Sequence, residues 1–189
     1  MSFPRIALLT VPATVLLGTL SGMLSNSGNE NPWFRALEMP SFMPPGWAFP
    51  VAWTALYICL GLSLALLIDA RGARRRGAAI ALFLVQLAVN YSWSPAFFGL
   101  HQVEIGLALI GAMILMTLVL IPLAGRIRRV AALLLIPYLG WLCFAFALNY
   151  QVMVLNPDAS EVASAASSTD IPLDQLSRGA TRAVRKPLL

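Results

Sequence analysis

The sequence predicts an all-α membrane protein, a bundle of five transmembrane helices. The 189-residue chain is 59% hydrophobic and only 11% charged, whereas soluble domains carry roughly 25% charged residues. Five apolar runs lie at about 6–24, 47–68, 78–98, 104–123 and 130–155, and each has about the 20 residues that a helix needs to cross a bilayer. None of them shows the alternating pattern of a membrane β-strand.

The first run, 6–24, carries Thr14, Gly18 and Gly22 at every fourth position. Such a stripe of small residues allows a second helix to approach closely, and we expect this neighbour to lie within the bundle rather than in another subunit. The alternative is that Arg5 and the apolar run form a cleavable signal peptide. The run is long for the apolar part of such a peptide, so a first membrane span is the favoured prediction.

The longest connection, residues 25–46, separates the first two runs, whereas the other three connections are short turns. This connection and the start of the second run hold most of the tryptophans and several prolines: Trp33, Trp47, Trp53, Pro32, Pro40, Pro44, Pro45 and Pro50. Proline restricts a loop and reduces the entropy lost when the loop closes. We therefore predict that 25–46 is a lid over a cavity inside the bundle.

Three of the remaining runs carry aromatic and amide side chains at helical spacing. These stripes are Trp53 and Tyr57 in 47–68, then Asn90, Trp93 and Phe97 in 78–98, and Trp141, Ala145 and Asn149 in 130–155. A buried amide needs a polar partner, so both asparagines should point inward, to each other, to the backbone or to a ligand. The tryptophans suit stacking on a flat aromatic ligand, although Trp33 and Trp47 also fit an interfacial belt.

The basic residues predict the orientation of the chain in the membrane. Eight of them fall on one side of a five-span protein: Arg5, Arg71, Arg74, Arg75, Arg76, Arg126, Arg128 and Arg129. Only Arg35 lies near a span on the other side. Because basic residues concentrate in cytoplasmic connections, we expect a cytoplasmic N-terminus in a bacterial inner membrane, with the outer membrane as the alternative.

Few side chains could carry conventional enzyme chemistry. Asp69 and Glu104 lie at span ends, and His101 is the only histidine, so we predict no metal site and no required cofactor. His101 is expected to be a polar residue at the membrane interface, and an axial ligand to a haem or a metal is the alternative. Cys59 and Cys143 lie in apolar runs and are expected to be packing residues. The net charge of +5 is explained by span ends and the tail, so nucleic acid is not an expected partner.

Residues 1–156 are therefore predicted to form one domain, followed by a tail, 157–189. The tail is rich in Ala, Ser, Asp and Arg, and it has too little apolar surface to fold alone. We expect it to be mobile.

Three segments carry a family resemblance. Residues 33–57, WFRALEMPSFMPPGWAFPVAWTALY, match the pattern W-[YF]-x-x-L-x-x-P-x-x-x-P-P-x-W-x-F-x-x-x-W-x-x-L-Y. This pattern resembles the signature of the TspO/MBR family, also known as tryptophan-rich sensory protein, translocator protein or peripheral-type benzodiazepine receptor. QLAVNYSWSPAFFGL and PYLGWLCFAFALNYQVMVLN resemble its third-helix and fifth-helix motifs. The resemblance covers most of residues 1–156.

The resemblance implies a five-helix bundle, usually dimeric, that binds porphyrins such as protoporphyrin IX. Many members of the family also bind sterols and isoquinoline or benzodiazepine ligands, so the resemblance implies these ligands as well. By position, the implied pocket is lined by Trp53, Tyr57, Asn90, Trp93, Trp141 and Ala145. With the lid and the stripes above, the candidate ligand-binding residues are Trp33, Trp47, Trp53, Tyr57, Asn90, Trp93, Phe97, Trp141, Ala145 and Asn149.

Three functions follow as alternatives. The favoured one is a membrane sensor or receptor that binds porphyrin in a pocket closed by the first loop. The second is an enzyme that degrades porphyrin in light, since Trp53 and Trp141 match the two tryptophans implicated in that reaction in the family. The third is a transporter of porphyrin or sterol. No Arg or Lys follows Tyr150 within five residues, so the sterol motif of animal members is not expected to operate here.

Overall fold

The computed structural model describes residues 2–159, which contain helices and no β-strand. The helices are α1 (Phe3–Leu24), α2 (Pro32–Ala36), α3 (Ala48–Asp69), α4 (Arg76–Ser94), α5 (Val103–Gly125) and α6 (Arg129–Leu155), and a π-helical turn (Pro95–Gly99) extends α4. Five segments are long and apolar enough to cross a membrane: α1, α3, α4 with its π turn, α5 and α6. The predicted all-α bundle of five spans is confirmed. The tail beyond residue 159 lies outside the described residues, so its predicted mobility stays a prediction.

The helices differ from the apolar runs mainly at their ends. Helix α4 begins at Arg76 and α6 begins at Arg129. Arginine is tolerated at the end of a membrane-spanning helix because its long side chain can extend to the headgroup level. Proline lacks the N–H group that a regular helix requires, and at Pro95 the hydrogen bonding changes. The Leu100 N–H donates to the Pro95 carbonyl at 2.9 Å, five residues back. The run predicted as one α-helix therefore ends in a π turn.

The core lies between α3, α4, α5 and α6, where side chains such as Leu60, Phe83, Leu120 and Leu135 are fully buried. Helix α1 packs on the outer side of α3 and is the span with the smallest buried share. Most of its leucines are exposed, and in a membrane protein such a surface faces lipid.

Hydrogen bonds and a close backbone approach fix α1 to α3. The Thr10 hydroxyl donates to the Gly61 carbonyl at 2.8 Å, and the Thr14 hydroxyl donates to the Tyr57 carbonyl at 2.9 Å. Gly18 is buried against the Tyr57 ring, which a Cβ atom at position 18 would overlap. The small-residue stripe of α1 therefore packs within the bundle, as predicted.

The up-and-down topology separates the charges between two ends of the bundle. One end, which we call the arginine end, holds the α1 N-terminus, the α3–α4 turn and the α5–α6 turn, with eight arginines. The opposite end, the loop end, holds residues 25–46, the α4–α5 connection and the α6 C-terminus. Within residues 2–159 the loop end carries Arg35 and the carboxylates Glu30, Glu38, Glu104 and Asp158. A cavity inside the bundle lies toward this loop end.

Candidate ligand-binding site

A cavity of about 500 Å³ lies inside the bundle at the loop end. Pockets for small molecules commonly have volumes of roughly 300–1,000 Å³. Side chains from α1, α3, α4, α5 and α6 line it, together with parts of loop 25–46. Of the candidate residues, eight line this cavity: Trp53, Tyr57, Asn90, Trp93, Phe97, Trp141, Ala145 and Asn149. The three stripes read from helical spacing therefore converge on one space.

One side of the cavity is an aromatic cluster of α3 and α6. Trp53 and Trp141 meet edge to face, with ring centroids 6.2 Å apart. Tyr57 stacks on Trp53 at 5.3 Å between centroids, and Phe49 contacts Trp141 at 6.0 Å. These distances are typical of favourable aromatic pairs. The rings support one another and give a flat ligand a fixed apolar surface.

The other side is formed by α4 and its π turn. Trp93 and Phe97 are stacked, with centroids 5.0 Å apart and planes inclined by 17°. Phe98 lies edge-on to both of them. Phe97 and Phe98 are adjacent in sequence and both are buried. The π turn therefore lets two consecutive rings pack inward beside the cavity.

A buried polar network lies at the inner end of the cavity. The Tyr57 hydroxyl donates to Asn90 Oδ1 at 2.9 Å, and Asn90 Nδ2 donates to the Tyr138 hydroxyl at 3.0 Å. The Gln86 amide also donates to the Tyr138 hydroxyl, which in turn lies 3.5 Å from the sulfur of Met113. The network ties α3, α4, α5 and α6 together.

The two predicted inward-facing asparagines have different partners. Asn90 is satisfied by the tyrosine hydroxyls of the network, a partner that the sequence analysis did not consider. Asn149 donates through Nδ2 to the Val103 carbonyl at 2.9 Å, which is the backbone option. Both side chains are 4% exposed. Each asparagine therefore serves the packing of the bundle and borders the cavity at the same time.

Three buried polar atoms of cavity-lining residues have no hydrogen-bond partner within the described residues. They are Nε1 of Trp93, Nε1 of Trp141 and Oδ1 of Asn149. A buried polar atom without a partner costs about 1–3 kcal/mol. These atoms are covered by neighbouring side chains, so a ligand in the cavity could hydrogen-bond to them only after those side chains move.

Trp33 and Trp47, the other two candidates, do not line the cavity. Trp33 is 3% exposed, and its indole N–H donates to the Ala159 carbonyl at 2.8 Å. It also packs against Phe97 and His101, with centroids 5.4 and 4.6 Å away. Trp47 is 69% exposed. The structure therefore gives Trp33 an anchoring position for the loop, and a ligand contact by either residue stays a prediction.

Loop 25–46, predicted to be a single lid, consists of two different halves. The first half is held firmly. The Asn31 side chain accepts from the Phe34 N–H at 3.2 Å, while the backbone of Glu38 exchanges two hydrogen bonds with the Asn156 amide, at 2.8 and 2.9 Å. Residues 39–46 make local hydrogen bonds, from the Met43 N–H to the Pro40 carbonyl and from the Ala48 N–H to the Pro45 carbonyl. Residues 39–46 border the cavity through Met43 and Gly46 and are the better candidate for the moving part.

Asn156→Leu is expected to loosen the anchored half of the loop. Because the substitution removes two hydrogen bonds to Glu38, each worth about 1 kcal/mol net, local opening should rise at least tenfold. Hydrogen exchange of peptides covering residues 32–38 measures this opening. Asn156→Asp keeps an acceptor for the Glu38 N–H and should give an intermediate rate. Unchanged exchange in Asn156→Leu would show that the amide does not hold the loop.

Gln86 and Tyr138, which complete the polar network, were not among the predicted site residues. Both are fully buried in membrane-spanning helices. Gln86 precedes Asn90 by four residues, and this spacing places two amides on one helix face. That signal was available in the sequence, whereas the pairing with Tyr138 on α6 required the tertiary structure. Within residues 2–159 no group of three or more His, Cys, Asp or Glu side chains is placed to hold a metal ion.

Comparison with protein families identifies the fold and the origin of the site. The model of the TspO/MBR family matches residues 10–155, a range that includes most of α1, the other four spans and every cavity-lining candidate. The chain belongs to the TspO/MBR family. The three motifs that carry the resemblance in the sequence thus lie on the helices that surround the cavity of this TspO/MBR protein.

Relatives of this TspO/MBR chain occur in bacteria, archaea and animals. It is 36% identical over 134 residues to Protein CrtK of Rhodobacter capsulatus, covering 66% of this chain and 79% of the relative. It is 35% identical over 150 residues to Tryptophan-rich protein TspO of Archaeoglobus fulgidus, covering 78% and 94%. The human Translocator protein is 34% identical over 140 residues, covering 72% and 82%. The similarity therefore covers between 66% and 78% of this chain in these three relatives.

Proposed function

We propose that this TspO/MBR-family protein is an integral membrane sensor that binds a porphyrin, protoporphyrin IX or a related tetrapyrrole, in the cavity beneath loop 25–46. The observation that carries the proposal is the convergence of Trp53, Trp93 and Trp141 on a cavity of about 500 Å³. A large, flat and mostly apolar ligand is the class that such a cavity favours, because it can contact several rings at once.

The charge distribution supports a ligand whose apolar body is buried and whose charged groups stay at the mouth. Among the described residues that line the cavity, none is charged. A carboxylate transferred into that space would be costly without a paired cation. Arg35 follows the cavity-lining Phe34 and forms an exposed ion pair with Glu30 at 3.0 Å. This guanidinium can exchange Glu30 for a ligand carboxylate at the cavity mouth.

The same cavity suits the other apolar ligands that the family resemblance implies. Sterols and isoquinoline or benzodiazepine compounds are therefore secondary candidates. We also propose that the protein forms a homodimer in a bacterial inner membrane, with its arginine end in the cytoplasm. The dimer rests on the family resemblance, and the orientation rests on the distribution of basic residues.

Titration of the purified protein with protoporphyrin IX in darkness tests the binding proposal. Three of the five tryptophans line the cavity, so we expect saturable quenching of most of the tryptophan fluorescence. An isoquinoline ligand of the family should compete with the porphyrin. Quenching that rises linearly without saturation would indicate nonspecific partition into the detergent or lipid and would contradict the proposal.

Light-dependent degradation of porphyrin is the second candidate function, and the contact between Trp53 and Trp141 favours it. Their rings meet at 6.2 Å on the same side of the cavity, where oxidisable indoles would lie beside a bound, light-absorbing macrocycle. Illumination of the complex should then remove the porphyrin absorption spectrum over time. Replacement of both tryptophans with phenylalanine should abolish that loss in samples with equal bound porphyrin. Equal loss in both proteins would leave binding as the function.

A further inference from the structure

The arginine end of the bundle carries a charge that the protein itself does not balance. Eight arginines lie there, and within residues 2–159 the carboxylate at that end is Asp69. Asp69 Oδ2 lies 3.8 Å from a guanidinium nitrogen of Arg128. This ion pair connects the end of α3 to the start of α6, so the α3–α4 and α5–α6 turns belong to one continuous surface.

Some of these arginines have structural roles. Arg76 donates to the carbonyls of Leu67 and Ile68 at 3.0 and 2.7 Å, and in this way it caps the C-terminus of α3. Arg126 follows the C-terminus of α5, where a cation is favoured by the helix dipole. Arg128 has its partner in Asp69. These three positions are explained by contacts within the chain.

Arg74, Arg75 and Arg129 are not explained in this way. All three are exposed, and no hydrogen bond or ion pair within the described residues holds their guanidinium groups. They lie at the starts of α4 and α6, whose first turns contain no acidic residue. Cations are unfavourable at that end of a helix dipole. These three exposed guanidinium groups are therefore available to an anionic partner.

We propose that Arg74, Arg75 and Arg129 form a binding surface for the phosphate groups of anionic phospholipids. The starts of two membrane-spanning helices place these side chains at the level of the lipid headgroups. The basic residues at this end are all arginine, as are 12 of the 13 Lys and Arg residues of the whole chain. Arginine can bind a phosphate through two parallel hydrogen bonds. The surface thus fits a phosphodiester better than it fits diffuse negative charge.

The test measures binding of two lipids with identical acyl chains, phosphatidylglycerol and phosphatidylcholine, to the full-length protein in neutral detergent. Native mass spectrometry counts the bound lipids, and the shift in thermal unfolding gives the affinities. Phosphatidylglycerol should bind at least tenfold more tightly than phosphatidylcholine. Because a juxtamembrane arginine contributes roughly fivefold to affinity for anionic lipid, Arg74→Gln, Arg75→Gln and Arg129→Gln together should lower the preference at least about tenfold.

Arg35→Gln at the loop end is the matched control and should leave the lipid preference unchanged. Inorganic phosphate is the second arm, since a site for a free anion would bind it without any lipid. Equal affinity for the two lipids in the unmodified protein would overturn the proposal, as would a preference of unchanged size in the triple variant. Competition by low millimolar phosphate would also overturn it, in favour of a soluble anion. If the triple variant unfolds, the single Arg74→Gln variant should still lose about fivefold in the lipid preference.

Discussion

Replacement of both Trp53 and Trp141 with leucine is expected to weaken porphyrin binding roughly 100-fold. Leucine keeps the cavity apolar but removes the two rings that form the aromatic side, and stacking of a flat ring on an aromatic side chain contributes about 1–3 kcal/mol. The loss of two such contacts therefore corresponds to at least about 2–3 kcal/mol, or one to two orders of magnitude in Kd. Equilibrium binding followed by porphyrin absorbance measures the effect without relying on tryptophan fluorescence.

Trp47→Leu is the matched control, because Trp47 is the same residue type, is 69% exposed and does not line the cavity. If the ligand lies in the described cavity, Trp47→Leu should bind porphyrin with unchanged affinity, whereas the ligand contact predicted for Trp47 from the sequence would weaken binding. If the control weakens binding as much as the double variant does, the ligand lies at the exposed face of the loop. A folded double variant with the affinity of the unmodified protein would place the ligand outside the described cavity.

Gly61→Val is expected to destabilise the bundle by about 3 kcal/mol, at the upper end of the usual cost of overpacking. A Cβ atom at position 61 would lie 2.6 Å from the Cα of Val11 and 2.8 Å from the Thr14 hydroxyl. The first neighbour is backbone, so α1 as a whole would have to move away from α3. That movement would also break the hydrogen bond from Thr10 to the Gly61 carbonyl. Thermal unfolding in detergent should show a fall in Tm on the order of 10 °C.

The control for this substitution is Gly77→Val in the first turn of α4. No heavy atom lies within 4 Å of a Cβ atom built at Gly77, so the same chemical change meets open space. Its Tm should change by no more than one or two degrees. A similar loss of stability at both positions would attribute the effect to valine in a helix and not to the contact between α1 and α3.

The sequence could predict the spans and the cavity stripes because both follow from local rules. A membrane helix must satisfy its own backbone hydrogen bonds, so length and hydropathy were enough to locate five of them. Helical spacing is equally regular, and it placed Trp53 with Tyr57, and Trp141 with Ala145, on common faces. The convergence of these faces on one cavity needed only the additional rule that polar groups avoid lipid.

The features that could not be predicted depend on pairs distant in sequence. The burial of Trp33 is determined by Phe97, His101 and the Ala159 carbonyl, none of which is near it in the chain. Likewise, the firm half of the loop depends on the pairing of Glu38 with Asn156, 118 residues apart. A tryptophan near a span start is equally consistent with an interfacial belt and with an anchor. Only the tertiary contacts distinguish the two.

Because of the π turn at Pro95–Gly99, the packing of this segment depends on its number of residues. A π turn accommodates one residue more than the α-helix it interrupts, and here that residue allows Phe97 and Phe98 to be buried together. Deletion of a single residue would restore a regular α-helical turn without that extra position, and Phe97 and Phe98 could then no longer be buried together. An insertion or deletion between Trp93 and Val103 should thus be tolerated less well than a conservative substitution in that segment. Along an evolutionary lineage, the number of residues in this stretch should vary less than their identity.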